Sequence, residues 1–174
     1  MSAEQGNSRN KIKRLCIYAL LTAVCLIIGY IESLVNFGFI APGIKIGLAN
    51  SVACLLIFSR DIKGALLVNI ARILLSALLF GSPLSLVFAL SGGIISLAAM
   101  IILSKCRQFS VIGVSAFGGV LHNMAQCVVG ACVIGVGIFY YLPVLMISGV
   151  LSGALVGVLS GLILNRMKSE NNVQ

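Results

Sequence analysis

Arg72 stands inside the apolar run NIARILLSALLF and poses the sharpest chemical question in this sequence. A charge at the centre of a bilayer costs about 2.5–3.5 kcal/mol on insertion scales, so it must turn toward a bundle interior or a water-filled pocket. Asn69 precedes it by three residues and shares its side of a helix. A guanidinium is a planar fork of donors that suits carboxylate or phosphate. Two roles are open. Arg72 contacts a ligand or ion, or it pins helices by bonding to Glu32 or to carbonyls.

A second cluster lies in LHNMAQC. His122 and Gln126 are four apart and share a helical face, while Asn123 and Gln126 are three apart and also neighbour each other. Three adjacent polar side chains in one apolar helix need partners. One histidine with two amides is not a ligand set for zinc or iron, so no metal is expected.

A third group surrounds NFGFIAPGIKIGLAN. Glu32 is late in the first apolar run, and Asn36 follows four residues later. Pro42 and Gly43 are turn signals, with Lys45 just beyond and Asn50 further on. A cavity open to the outer face could collect Glu32, Lys45, Asn50, Asn69, Arg72 and the His122 group. Its ligand would be small and anionic or amphiphilic, with apolar walls able to hold rings or an isoprenoid tail. The competing reading is a Glu32–Lys45 or Glu32–Arg72 ion pair with no ligand. No buried pair of carboxylates, P-loop or Asp-rich motif is present. The chain is therefore expected to be non-catalytic by itself and to carry no cofactor.

The elements that must position these residues follow from composition. The 174 residues are 60% hydrophobic and 9% charged, with mean hydropathy +1.14. Soluble domains average about 25% charged residues, so this chain could not clothe a water-facing surface, and soluble nucleic-acid binding is a poor use of its +8 charge. Apolar runs at 15–35, 44–59, 64–80, 84–104, 111–135 and 140–164 predict six transmembrane helices. A spanning helix needs about 20 residues, range about 17–25, and the second and third runs sit at or below that floor. Residues 1–14 form a basic tail, 15–165 the membrane domain and 166–174 a second tail.

Lysine and arginine test this count, because cytoplasmic loops carry an excess of them. With the N-terminus inside, the inner segments hold Arg9, Lys11, Lys13, Arg14, Arg60, Lys63, Lys105, Arg107, Arg166 and Lys168, ten of the twelve. Lys45 falls at an outer span edge and Arg72 within a span. The alternation predicts an all-α polytopic bundle with both termini cytoplasmic. The six cysteines form no CxxC pair and read as small packing residues.

Small residues make two further patterns. Ala19 and Ala23 form AxxxA in the first run, and Gly149, Gly153, Gly157 and Gly161 form a stripe in the last. Such spacing allows close helix contact in membranes, either inside the bundle or against a partner protein.

YIESLVNFGFIAPGIKIGLAN, the buried NIAR, the LFGSPLS turn and GVLHNMAQ together resemble the Gx transporter family, also labelled heptaprenyl diphosphate synthase component I. That family is similar to the substrate-binding S components of energy-coupling factor (ECF) transporters. The resemblance implies a six-helix bundle in a bacterial cell membrane, with a ligand site in its outer half. It implies as partners a transmembrane coupling protein and two ABC ATPases, with Ala19 and Ala23 as candidate contacts for the coupling protein. Two alternatives stand beside this uptake reading. One is a non-transporting membrane subunit of an isoprenoid, quinone or electron-transfer system. The other is an accessory subunit of a heptaprenyl diphosphate synthase.

Overall fold

The computed structural model describes residues 2–34, 47–106 and 108–171. Its helices are α1 (Ser2–Leu34), α2 (Asn50–Phe58), α3 (Ile62–Phe80), α4 (Pro83–Ser104), α5 (Val111–Val133) and α6 (Leu142–Asn171), with a 3-10 turn at Val136–Tyr141 before the last. The helix starts are written locally in the sequence. Asp61 caps α3 by accepting from Gly64 N–H at 3.0 Å. Ser82 and Ser85 form a reciprocal capping box at α4, with Pro83 at the first position, where its missing N–H costs nothing. Ser110 caps α5 through Gly113 N–H.

Neighbouring helices run antiparallel. Tyr18 Oη donates to Asp61 Oδ2 at 2.5 Å, which sets the first half of α1 beside the α2–α3 turn. Along α5 and α6, Gly157 faces Ile112, Gly153 faces Ala116 and Gly149 faces Val120. The described basic residues of α1 and of the α2–α3 turn, Lys105 after α4, and those at the end of α6 consequently gather at one end of the bundle.

Among the described residues, five helices are long and apolar enough to cross a membrane: Ser8–Leu34, Ile62–Phe80, Pro83–Ser104, Val111–Val133 and Val136–Glu170. Large apolar side chains such as Leu20, Leu78 and Leu162 face outward, as lipid contact requires. The second apolar run behaves differently. Within the described residues it yields α2 alone, nine residues or about 13.5 Å at 1.5 Å per residue, less than half of a hydrocarbon core of about 30 Å. Positions 35–46 lie outside the described residues, so the expected sixth span is represented by this short helix.

That helix is a central wedge. Ala53 and Ile57 pack with Ala65, Leu97, Met100 and Val114. On its other side Val52 joins Cys25, Ala49 and Val68. Ser160 Oγ of α6 donates to the Ser51 carbonyl at 3.2 Å, tying the wedge to the far wall. Both ends of the chain are more helical than expected. The basic segment before position 15 continues α1 from Ser2, and α6 runs on to Asn171. Lys, Arg, Gln and Glu are good helix formers, so an apolar helix extends readily through them. Cys25, Cys54 and Cys127 are buried, while Cys16, Cys106 and Cys132 are exposed; all six are free thiols.

Candidate functional site

Arg72 sits on the inward face of α3, where Nη2 donates to Asn50 Oδ1 and to Asn69 Oδ1, each at 3.0 Å. Both acceptors are neutral amides. Nε and Nη1 bond to nothing among the described residues, and the side chain lines a cavity of about 500 Å³. Asn69 is 3% exposed, and its Nδ2 donates to the Gly93 carbonyl of α4 at 3.3 Å. It therefore acts as a bracket that fixes Arg72 and joins α3 to α4. Asn50 is the first residue of α2, so the wedge presents its leading amide to the guanidinium. Glu32 of α1 accepts from the Leu48 N–H just before α2. Its carboxylate is near enough to Arg72 to act on it electrostatically.

The α5 cluster divides. Gln126 Nε2 lies 3.1 Å from His122 Nε2, and the same nitrogen lies 3.5 Å from the Phe88 carbonyl of α4. These two residues share a face, as four-residue spacing requires. The adjacent Asn123 is turned about 100° from His122 around the helix. Its Nδ2 donates to the Leu145 carbonyl at 2.6 Å and lies 3.2 Å from Ser148 Oγ. Asn123 thus fastens α5 to α6 with its amide nitrogen, although it still borders the cavity.

The cavity passes through the bundle and is bordered by all six helices. Near one end are Glu32, Ser33, Ser82 and Ser85; Arg72, Asn50, His122 and Gln126 lie in its middle reach; Met100, Ser115 and Val156 lie toward the other end. It brings Arg72, Asn50, Glu32, His122, Asn123 and Gln126 to one space. Asn69 supports that space from behind. Lys45 lies outside the described residues. A cavity of about 300–1,000 Å³ with apolar walls and a few convergent polar groups is the usual form of a small-molecule site.

The family model for heptaprenyl diphosphate synthase component I matches residues 21–163. The chain belongs to that family. No curated protein and no solved structure matches it. The family match takes in every cavity residue named above, and of the two alanines on α1 it includes Ala23 but not Ala19.

The small-residue patterns have different environments in this family member. Ala19 and Ala23 are exposed on α1. Gly149, Gly153 and Gly157 press on the α5 backbone: a Cβ at Gly153 would come 2.5 Å from the Ser115 carbonyl oxygen, and one at Gly157 would come 2.6 Å from Ile112 Cα. Gly161 has nothing within 4 Å of that position and does not share the contact.

Two site-shaping residues escaped the sequence reading. A Cβ on Gly92 would lie 2.8–2.9 Å from the His122 ring, and one on Gly93 would meet Ile73 Cδ1 at 2.5 Å. The SGG triplet in an otherwise apolar α4 was the available signal. It reads as small-residue packing until the partner is known to be an imidazole. The cavity serines were also missed, because single serines in apolar helices commonly bond back to their own helix, as Ser76 does to the Ile73 carbonyl at 3.1 Å.

Proposed function

We propose that this membrane protein is the ligand-binding subunit of an ECF-type ABC uptake transporter, taking a small anionic or amphiphilic molecule. The observation that carries the reading is the guanidinium of Arg72. It is held by two neutral amides, keeps donors toward a 500 Å³ cavity, and shares that cavity with His122 and Gln126. An arginine whose only task was to brace helices would find its bonds satisfied by the protein, since buried polar groups seek partners. A charge with donors left over suits a carboxylate or phosphate.

The basic residues at one end of the bundle support a cytoplasmic location for both termini. The same orientation puts the Ser33–Ser82 end of the cavity outside. Ligand would enter there, and an ATP-driven partner would supply the reorientation that releases it inward. Exposed Ala19 and Ala23 on α1 support a close helix contact with a coupling protein. The chain itself offers no nucleotide site by motif, so ABC ATPase subunits are the expected source of energy.

The decisive experiment purifies the protein gently from native membranes and identifies co-purifying subunits and retained small molecules by mass spectrometry. An ATPase module together with a bound anion supports the reading. Undiminished uptake after deletion of every such module overturns it. The family description favours a second reading, an accessory subunit of a heptaprenyl diphosphate synthase. That reading expects prenyl-diphosphate turnover by a soluble partner that disappears when this chain is removed. A bound lipid or quinone without uptake would instead favour a non-transporting membrane subunit.

A further inference from the structure

The cavity continues well past Arg72. Its lining residues on α4 run from Ser82 to Met100, about 27 Å of helix at 1.5 Å per residue. With a volume of about 500 Å³ it is long and narrow. The deep reach is not simply apolar. Ser96 lies one turn beyond Gly92 on α4, and Ser115 lies about 10 Å from His122 along α5. Ser152 of α6 completes this region with Met100 and Val156.

Ser96 is the telling residue. It is 4% exposed, and its hydroxyl makes no hydrogen bond among the described residues. It does line the cavity. Other serines here show what an uncommitted hydroxyl usually does: Ser91 donates to the Phe88 carbonyl at 2.9 Å and Ser104 to the Ile101 carbonyl at 2.9 Å. Ser115 is 3% exposed and sits beside the Cys54 thiol, a weak partner. Ser152 bonds to the Gly149 carbonyl at a long 3.4 Å. A hydroxyl closed off from all solvent would need a protein partner, so Ser96 Oγ, which has none among the described residues, opens on the cavity.

We infer that the deep end of the cavity is a second polar subsite, built on Ser96 and Ser115, for a neutral hydroxyl or carbonyl group. The ligand is then elongated. Its anionic end lies on Arg72, its apolar middle passes Ile73, and its far end bears one uncharged hydrogen-bonding group. This inference rests on the ligand reading of Arg72 given above. Hydroxyls discriminate in the required way, because they can donate to a carbonyl or exchange bonds with a hydroxyl, yet offer no charge to neutralise an anion.

The test uses two probes that differ only at the far end: octanoate and 8-hydroxyoctanoate, whose extended lengths match about two turns of helix. Binding to the full chain in lipid nanodiscs is measured for wild type, for Ser96→Ala/Ser115→Ala and for Arg72→Ala. The expected result is a wild-type preference for the hydroxy acid. That preference falls about fivefold or more in the double serine variant, while octanoate binding is retained and shows that the variant is folded. Both acids are lost in Arg72→Ala. If both acids bind and depend on Arg72 but their ratio ignores the serines, or if wild type does not prefer the hydroxy acid, the deep subsite is overturned alone. Failure of both acids to bind wild-type protein overturns the anion reading of Arg72, and the subsite with it.

Discussion

Arg72 Nη2 donates to Asn50 Oδ1 at 3.0 Å, so the cation at the centre of the bundle is joined to the first residue of a nine-residue helix by an uncharged acceptor. Changing that acceptor's charge separates packing from binding. Asn50→Asp keeps the side-chain shape and puts a carboxylate against the guanidinium. Opposite charges about 4 Å apart attract by about 4 kcal/mol at an effective dielectric of 20, so the new pair competes with any anionic guest. The expected outcome is normal or raised thermal stability with at least tenfold weaker binding of octanoate. Titration calorimetry and melting curves on the same nanodisc sample check both halves.

Arg72→Ala and His122→Ala are expected to reduce ligand binding more than membrane abundance. Removing Arg72 from an apolar helix relieves an insertion cost of about 2.5–3.5 kcal/mol, so abundance has no reason to collapse. Quantitative immunoblotting of membranes beside a binding assay checks this. Parallel loss of both quantities would assign these side chains to packing.

The His122 ring occupies space that Gly92 leaves open. Gly92→Ala would bring a methyl group within 2.8–2.9 Å of the imidazole, which must then move. The alanine is expected to cost about 1–3 kcal/mol, the range for overpacking. In a His122→Ala background the same change should cost much less. A double-mutant cycle on unfolding checks it, with an expected coupling of about 0.5–3 kcal/mol. Additive costs would mean that the two residues do not share this space.

The all-helical membrane class and several of the cavity-lining residues were legible in the sequence for a definite reason. Membrane helices announce themselves by length and apolarity, and Arg72, Asn69, His122 and Gln126 stood out because apolar runs make polar residues conspicuous. Four-residue spacing correctly joined His122 to Gln126 on one face. Spacing could not decide where Asn123 would turn, because its bond to the Leu145 carbonyl depends on the neighbouring helix. The short α2 was hidden as well. The mostly apolar sixteen-residue run at 44–59 looks like a thin span, whereas the structure begins the helix at Asn50. Gly161 extended a four-residue repeat in the sequence, but α5 contacts the repeat through Gly149, Gly153 and Gly157.

That last difference is itself testable. Gly153→Leu must push a branched side chain into the Ser115 and Ala116 backbone, where a Cβ alone would meet atoms at 2.5 and 2.7 Å. A backbone cannot swing aside as a flexible side chain can, so a loss of more than about 3 kcal/mol and of most membrane abundance is expected. Gly161→Leu has open space and should leave abundance near wild type. Fluorescence-detected size-exclusion profiles of the two variants check the contrast. Equal damage at Gly161 would point to a packing partner outside this chain.

Asp61 gives the bundle a pH-dependent fastening at its basic end. The Tyr18 hydroxyl donates to Oδ2 at 2.5 Å, Gly64 N–H donates to Oδ1 at 3.0 Å, and Arg14 adds a favourable charge. The Tyr18 bond is the largest influence, and together these outweigh desolvation and hold the carboxyl below its usual value of 3.8. A carboxylate with a lowered folded pKa adds stability that is complete above the unfolded value and fades as pH falls through the folded one. Asp61→Asn keeps an oxygen able to cap α3 but removes the charge. Wild type should therefore melt higher than Asp61→Asn between pH 5 and pH 7, a window about one unit and more above the carboxylate range, and the gap should close as the solution is acidified below 3.8. Asp61→Ala, which also loses the cap, should be less stable by about a further 1 kcal/mol at every pH. The Tyr18→Phe variant keeps the carboxylate but not its main donor, so its gap from wild type should shrink over the same acidic range. A gap that persists unchanged at low pH would show that α1 is held to this turn by packing rather than by the ionised carboxylate.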